Sequence, residues 1–102
     1  MINISVDYPD ALNFIKRCVE ARHLFWTYHV NMRIKQRSVD REAIVRSTDT
    51  YEIIERYPED RDFPSFLVYA EYKNDVYHIL FATDFEGSNV RVVTTYQPDP
   101  EQ

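Results

Sequence analysis

The chain is poor in the residues that build several familiar sites. Gly87 is its one glycine among 102 residues, so neither a GxGxxG nor a GxxxxGK[ST] phosphate loop is present, and nucleotide binding through such loops is excluded. Cys18 is its one cysteine, which rules out an intrachain disulfide and a cysteine-based zinc site. A lone thiol inside an apolar helical pattern reads as a small core residue in a reducing compartment, with a catalytic thiol as the alternative. No apolar run approaches the ~20 residues that span a bilayer, and the amino terminus lacks a basic-then-apolar signal pattern. A soluble, cytoplasmic protein without a membrane partner is expected. The acids Glu59, Asp60 and Asp62 have no accompanying His and fit no divalent-ion loop. They read as a hydrated loop, and neither a metal nor another cofactor is expected.

What is present is enough for one core. With 44% hydrophobic and 15% aromatic residues, residues 1–102 are expected to form a single domain. The net charge of −5 argues against a nonspecific nucleic-acid binder, because backbone affinity comes from neutralising phosphates. The distribution of charge changes that picture. Residues 16–46 carry eight Lys/Arg against three acids, whereas residues 47–102 carry four against twelve. Such a split can turn one face toward RNA while the other repels it, or let the two halves attract each other.

The periodicity divides the chain the same way. Asp7 and Pro9 announce a helix whose apolar face is Leu12, Phe14, Ile15, Cys18 and Val19, running to about His23 or Leu24. Phe25, Trp26 and Tyr28 form a bulky connection, and Thr27 is placed to cap a second helix with Val30 and Ile34 inward. A short third helix spans Arg41 to Ser47. From Thr50 the pattern turns to β-branched and aromatic residues, giving four strands: Tyr51–Tyr57, Phe66–Tyr72, Val76–Thr83 and Val90–Tyr96. Asn74-Asp75 reads as the two-residue turn of an antiparallel hairpin. That turn would pair Glu71 with His78, and pairing Thr83 with Asn89 would bring Thr94 beside His78. Val92, Thr94 and Tyr96 are expected on one side of the last strand. The fold class is α+β, with amino-terminal helices packed on a mainly antiparallel four-stranded sheet.

In the second helix, His29, Arg33 and Arg37 recur every four residues and share one slowly drifting edge. A proton-transfer group beside two fixed cations suits a phosphodiester. His78 supplies a second imidazole. Together these are the ingredients of metal-free RNA cleavage: one group takes the 2'-hydroxyl proton, another protonates the leaving 5'-oxygen, and guanidinium groups stabilise the charge on phosphorus. Plainer readings stand beside this one. Surface helices are rich in Arg, His78 also works as a cross-strand partner of Glu71, and Thr94 and Tyr96 are ordinary strand residues.

Four runs in fixed order carry a resemblance. Glu52-Ile53-Ile54-Glu55-Arg56-Tyr57-Pro58-Glu59-Asp60, Phe63-Pro64-Ser65-Phe66-Leu67, Tyr77-His78-Ile79-Leu80-Phe81-Ala82 and Val93-Thr94-Thr95-Tyr96-Gln97-Pro98-Asp99-Pro100 resemble domain of unknown function 4258, over about residues 27–100. The family's histidine and two arginines fall on His29, Arg33 and Arg37, its strand histidine on His78, and its Thr and Tyr on Thr94 and Tyr96. Phe66 stands where the family has Cys, and Ser38 where it has Gly. The family is similar to RelE- and BrnT-like toxins of type II toxin-antitoxin systems. The resemblance therefore implies a RelE/barnase-like fold and an endoribonuclease toxin that cleaves RNA by 2'-hydroxyl attack without metal. It also implies an antitoxin partner of zinc-finger or helix-turn-helix type, and RNA, free or on the ribosome, as substrate. His29, Arg33, Arg37, His78 and Tyr96 are the catalytic candidates, and Thr94 and Glu71 the substrate contacts. The rival reading is a noncatalytic interaction module, or a degenerate toxin that binds an antitoxin-like partner.

Overall fold

The computed structural model describes residues 8–28, 30–31, 41–59 and 63–98. Helix α1 (Tyr8–Glu20) buries Ala11, Ile15, Cys18 and Val19, a stripe at helical spacing with Leu12 and Phe14 packed on its flanks. Burial pushes the Cys18 thiol above its usual range, the setting of an inert core cysteine. The helix stops short of His23 because its end folds back on itself. Arg22 takes a left-handed φ of 65°, its N–H donates to the Val19 carbonyl at 3.1 Å, and the His23 N–H donates to the Cys18 carbonyl at 2.8 Å. This is a Schellman closure with arginine where glycine is usual. The Arg22 side chain adds to it, donating through Nη1 to the Val19 and Glu20 carbonyls.

The chain then enters strand β1 (Leu24–Trp26), which corrects the expectation of a plain connection. β1 runs parallel to the last strand, with Leu24, Phe25 and Trp26 in register with Val90, Arg91 and Val92. Thr27 takes the expected capping role: its Oγ1 accepts from the Val30 N–H at 3.2 Å, and Val30 is fully buried. Ile34, expected inward beside it, lies outside the described residues. Helix α2 (Arg41–Val45) seats Ala43 and Ile44 in the core and passes into a 3-10 turn over Thr48–Thr50. The Tyr51 hydroxyl donates to the Ile44 carbonyl at 2.6 Å, and Thr48 donates to Glu20 at 2.9 Å. These two bonds tie α2 and the turn to the core and to α1.

Strands β2 (Glu52–Tyr57), β3 (Ser65–Tyr72), β4 (Asp75–Asp84) and β5 (Asn89–Tyr96) form an antiparallel meander. With β1 the sheet has five strands in the order β1-β5-β4-β3-β2, mixed rather than four-stranded. Period-two alternation buries Phe66, Val68 and Ala70 of β3, Tyr77, Ile79 and Phe81 of β4, and Val90 and Val92 of β5 with the helices' apolar stripe. The result is an α+β fold. The opposite face of the sheet carries no described helix.

The β3–β4 turn lies one residue earlier than expected. Tyr72 pairs with Asp75, so Lys73 and Asn74 form the turn, at φ 52° and 71°. Two consecutive left-handed residues define a type I′ turn, in which Asn-Gly is preferred and lysine carries a steric cost. Replacing Lys73 by Asn and Asn74 by Gly together is expected to stabilise the protein by about 1 kcal/mol. A higher urea midpoint at unchanged slope shows this. An unchanged or lower midpoint counts against a strained turn.

Candidate active site

β4 turns Val76, His78 and Leu80 to the open face of the sheet, half-buried between their cross-strand neighbours. His78 stands opposite Tyr69 on β3 and Tyr96 on β5. Its Nδ1 lies 3.2 Å from the Tyr96 hydroxyl, with the two rings edge-on, their centroids 5.3 Å apart. Partial burial lowers the His78 pKa from the usual 6.5, because the imidazolium loses hydration there. The ring is therefore neutral at pH 7. A neutral imidazole has one N–H and one bare nitrogen. When Nδ1–H donates to the Tyr96 oxygen, Nε2 is bare and can take a proton. Tyr96 is 37% exposed, so the pair borders solvent.

Two local features set the neighbours of His78. The first is the β3–β4 register: Glu71 pairs with Val76, not with His78 as the Asn74-Asp75 turn would require. Because the displacement is two residues, Glu71 stays on the same face, diagonal to His78. The Tyr69 hydroxyl donates to Glu71 Oε1 at 3.2 Å. Partial burial, then the carboxylates of Glu71 and Glu52, raise the Tyr69 pKa, so the phenol stays protonated. The Glu71 main-chain N–H donates to Thr50 Oγ1 at 2.9 Å, which anchors this part of β3.

The second feature is a bulge in β5. Phe81 pairs with Val92 but Leu80 pairs with Thr94, so Val93 is an extra residue and the alternation reverses. Val92 and Thr95 face inward, and Thr95 Oγ1 donates to the His78 carbonyl at 3.2 Å. Val92 therefore does not share a side with Thr94 and Tyr96. Thr83 pairs with Val90, not with Asn89 as expected, and this one-residue displacement added to the bulge makes Tyr96, rather than Thr94, the direct neighbour of His78, while Thr94 stands beside Leu80. Tyr69 is a neighbour of the site that sequence reasoning misses. Its alternation with Leu67 and Glu71 already places it on this face, and only the position of the turn hides its pairing with His78.

His29, Arg33 and Arg37, and with them the helix edge they were expected to share, lie outside the described residues. Among the described residues no group of three or more His, Cys, Asp or Glu side chains is placed to hold a metal ion. Among them, too, no helix is long and apolar enough to cross a membrane.

The depressed pKa makes His78 a source of acid sensitivity. The unfolded chain protonates this group near 6.5, above the folded value, so folding gains nothing from His78 above that pH. Stability then declines as pH falls through the interval between the two values. His78→Gln is expected to flatten this part of the stability curve, measured by urea midpoints between about pH 7.5 and pH 5. Parallel curves for the two proteins contradict the assignment.

The model of the family described as a domain of unknown function (DUF4258) matches residues 26–97. No curated protein and no solved structure gave a match to the chain.

Proposed function

The chain belongs to the DUF4258 family, and from that premise and the His78–Tyr96 pair we propose that the protein is a metal-independent endoribonuclease, the toxin of a type II toxin-antitoxin system. The single observation that carries the reading is a neutral imidazole held at 3.2 Å from a phenol on a solvent-reachable face. Such a pair is suited to moving a proton. In the mechanism we favour, His78 Nε2 takes the 2'-hydroxyl proton while Nδ1–H rests on the Tyr96 oxygen. The 2'-oxygen bonds to phosphorus and the bond from phosphorus to the 5'-oxygen breaks. His29 delivers a proton to that leaving oxygen, and Arg33 and Arg37 hold the phosphate. Thr94 and Glu71 contact the substrate beside the pair.

The partner in this reading is an antitoxin of zinc-finger or helix-turn-helix type, and the site of action is the cytoplasm. A direct test is expression in growing cells with no partner protein. Growth arrest that is lost in both His29→Ala and Arg33→Ala supports the toxin. Unimpaired growth with folded wild-type protein leaves the noncatalytic interaction module, whose support is the net charge of −5.

A further inference from the structure

A second feature lies away from His78, at the β1 edge of the sheet. Between β1 and α2 a solvent-open cleft of about 300 Å³ is lined by Arg22, Leu24, Trp26, Arg41, Glu42 and Val45, a volume at the lower end of ligand sites. Its two arginines are held in place before any ligand arrives. Arg22 is fixed at the end of α1 by its bonds to the Val19 and Glu20 carbonyls. The Arg41 guanidinium lies 5.1 Å from the Trp26 ring centroid and donates to Asn31 Oδ1. Glu42 is the one acid in the lining among the described residues and is ion-paired with Arg46, so positive charge prevails. Planar guanidinium forks of this kind match phosphate oxygens and lose little freedom on binding.

The surroundings give the ligand a direction. Trp26 and Leu24 pack on the core side of β1, whereas Phe25 between them is 54% exposed and in register with Arg91. From Arg91, β5 continues on the open face through Thr94 to Tyr96 beside His78. An exposed aromatic ring next to an arginine is a platform on which a base stacks. The acids Glu52 and Glu55 belong to β2, the strand at the opposite edge of the same sheet, where they repel a polyanion.

We propose that the Arg22–Arg41 cleft binds a backbone phosphate of single-stranded RNA, whose chain then crosses the β1 edge past Phe25 and Arg91 toward His78 and Tyr96. This deepens the ribonuclease reading and rests on it for the identity of the polyanion. The cleft is an anchoring site, distant from the reacting phosphate.

Trp26 is the only tryptophan of the chain and lines the cleft, so its fluorescence reports on it. The test titrates the wild-type protein with 2'-O-methyl RNA, a single strand that lacks the attacking hydroxyl, and separately with inorganic phosphate and a nucleoside monophosphate. A saturable change in Trp26 emission is expected with the oligonucleotide, and at least about 10-fold weaker binding of the two small ligands. Arg22→Gln and Arg41→Gln are each expected to weaken oligonucleotide binding and to reduce the salt slope by about 0.7. Arg41→Lys, which keeps the charge without the fork, falls between. Each variant is compared at equal circular dichroism, so that loss of fold is not read as loss of binding. A silent Trp26, unchanged affinity and slope in both glutamine variants, or inorganic phosphate binding as tightly as the strand overturns the proposal. Cleavage of RNA at unaltered KM in both variants overturns the cleft and leaves the ribonuclease. Binding with these variant effects but no cleavage by wild type supports the cleft and removes the ribonuclease.

Discussion

Glutamine in place of His78 is expected to slow RNA cleavage by roughly 10²-fold or more, the usual contribution of a positioned acid or base. The fold should persist, because the ring sits on the open face with its main polar contact at Tyr96 Oη and outside the buried core. Glutamine keeps a hydrogen-bonding group of similar reach but cannot accept a full proton. His29→Ala is expected to produce a loss of the same order, and Arg33→Ala one set by charge stabilisation, again roughly 10²-fold. The pH profile separates a proton-transfer role from a structural one. His78 must be neutral to act as base and its pKa is lowered from 6.5, so wild-type activity should persist to lower pH than an ordinary histidine allows. That acidic limb should vanish in His78→Gln. If His78→Gln cleaves at the wild-type rate with the same acidic limb, His78 is not the base.

Alanine in place of Phe81 should remove about 3–5 kcal/mol of folding stability. Phe81 is fully buried in the central strand β4, paired with Phe66 on one side and Val92 on the other. Its ring centroid is 5.7 Å from that of Tyr51, whose hydroxyl is fixed on Ile44. Removing the ring empties the junction between sheet and helices, where the neighbours are held by the backbone ladder and cannot close in. A domain of this size has only ~5–15 kcal/mol in total, so the variant should unfold at a much lower urea midpoint. Phe81→Leu, which retains most of the volume, should cost under about 2 kcal/mol. Equal midpoints for the two variants would place Phe81 outside a tightly packed site.

Much of this architecture is readable from pattern. The four meander strands fall within a residue or two of the positions expected from β-branched and aromatic runs, because each is long enough for alternation to show. β1 escapes detection for the opposite reason. Leu24-Phe25-Trp26 spans three residues, too few for a period, and its pairing with β5 joins segments more than sixty residues apart in sequence. The β3–β4 register misleads through turn chemistry. Asn74-Asp75 is the better local turn, but the sheet pairs Val68 with Ile79 and Ala70 with Tyr77, which leaves Lys73 and Asn74 in the turn at positive φ. Both registers leave the same side chains inward, so alternation alone does not choose between them. The bulge in β5 leaves one trace in the sequence: Val92 and Val93 are consecutive apolar residues where strict alternation calls for one. That trace accounts for one residue of the shift from Thr94 to Tyr96 opposite His78, and the β4–β5 turn, where Thr83 pairs with Val90 rather than Asn89, accounts for the other. The resemblance marks His78, Thr94 and Tyr96 as important, and the turn register and the bulge together explain why Tyr96 is the contact.

The most direct measurement is incubation of purified wild-type protein with RNA in excess chelator, followed by analysis of the new ends. The account predicts cleavage at an undiminished rate, with 2',3'-cyclic phosphate on one product and a free 5'-hydroxyl on the other, since the 2'-oxygen is the nucleophile and protein side chains move the protons. Intact RNA in the presence of folded protein, or products bearing 5'-phosphate ends, contradicts it.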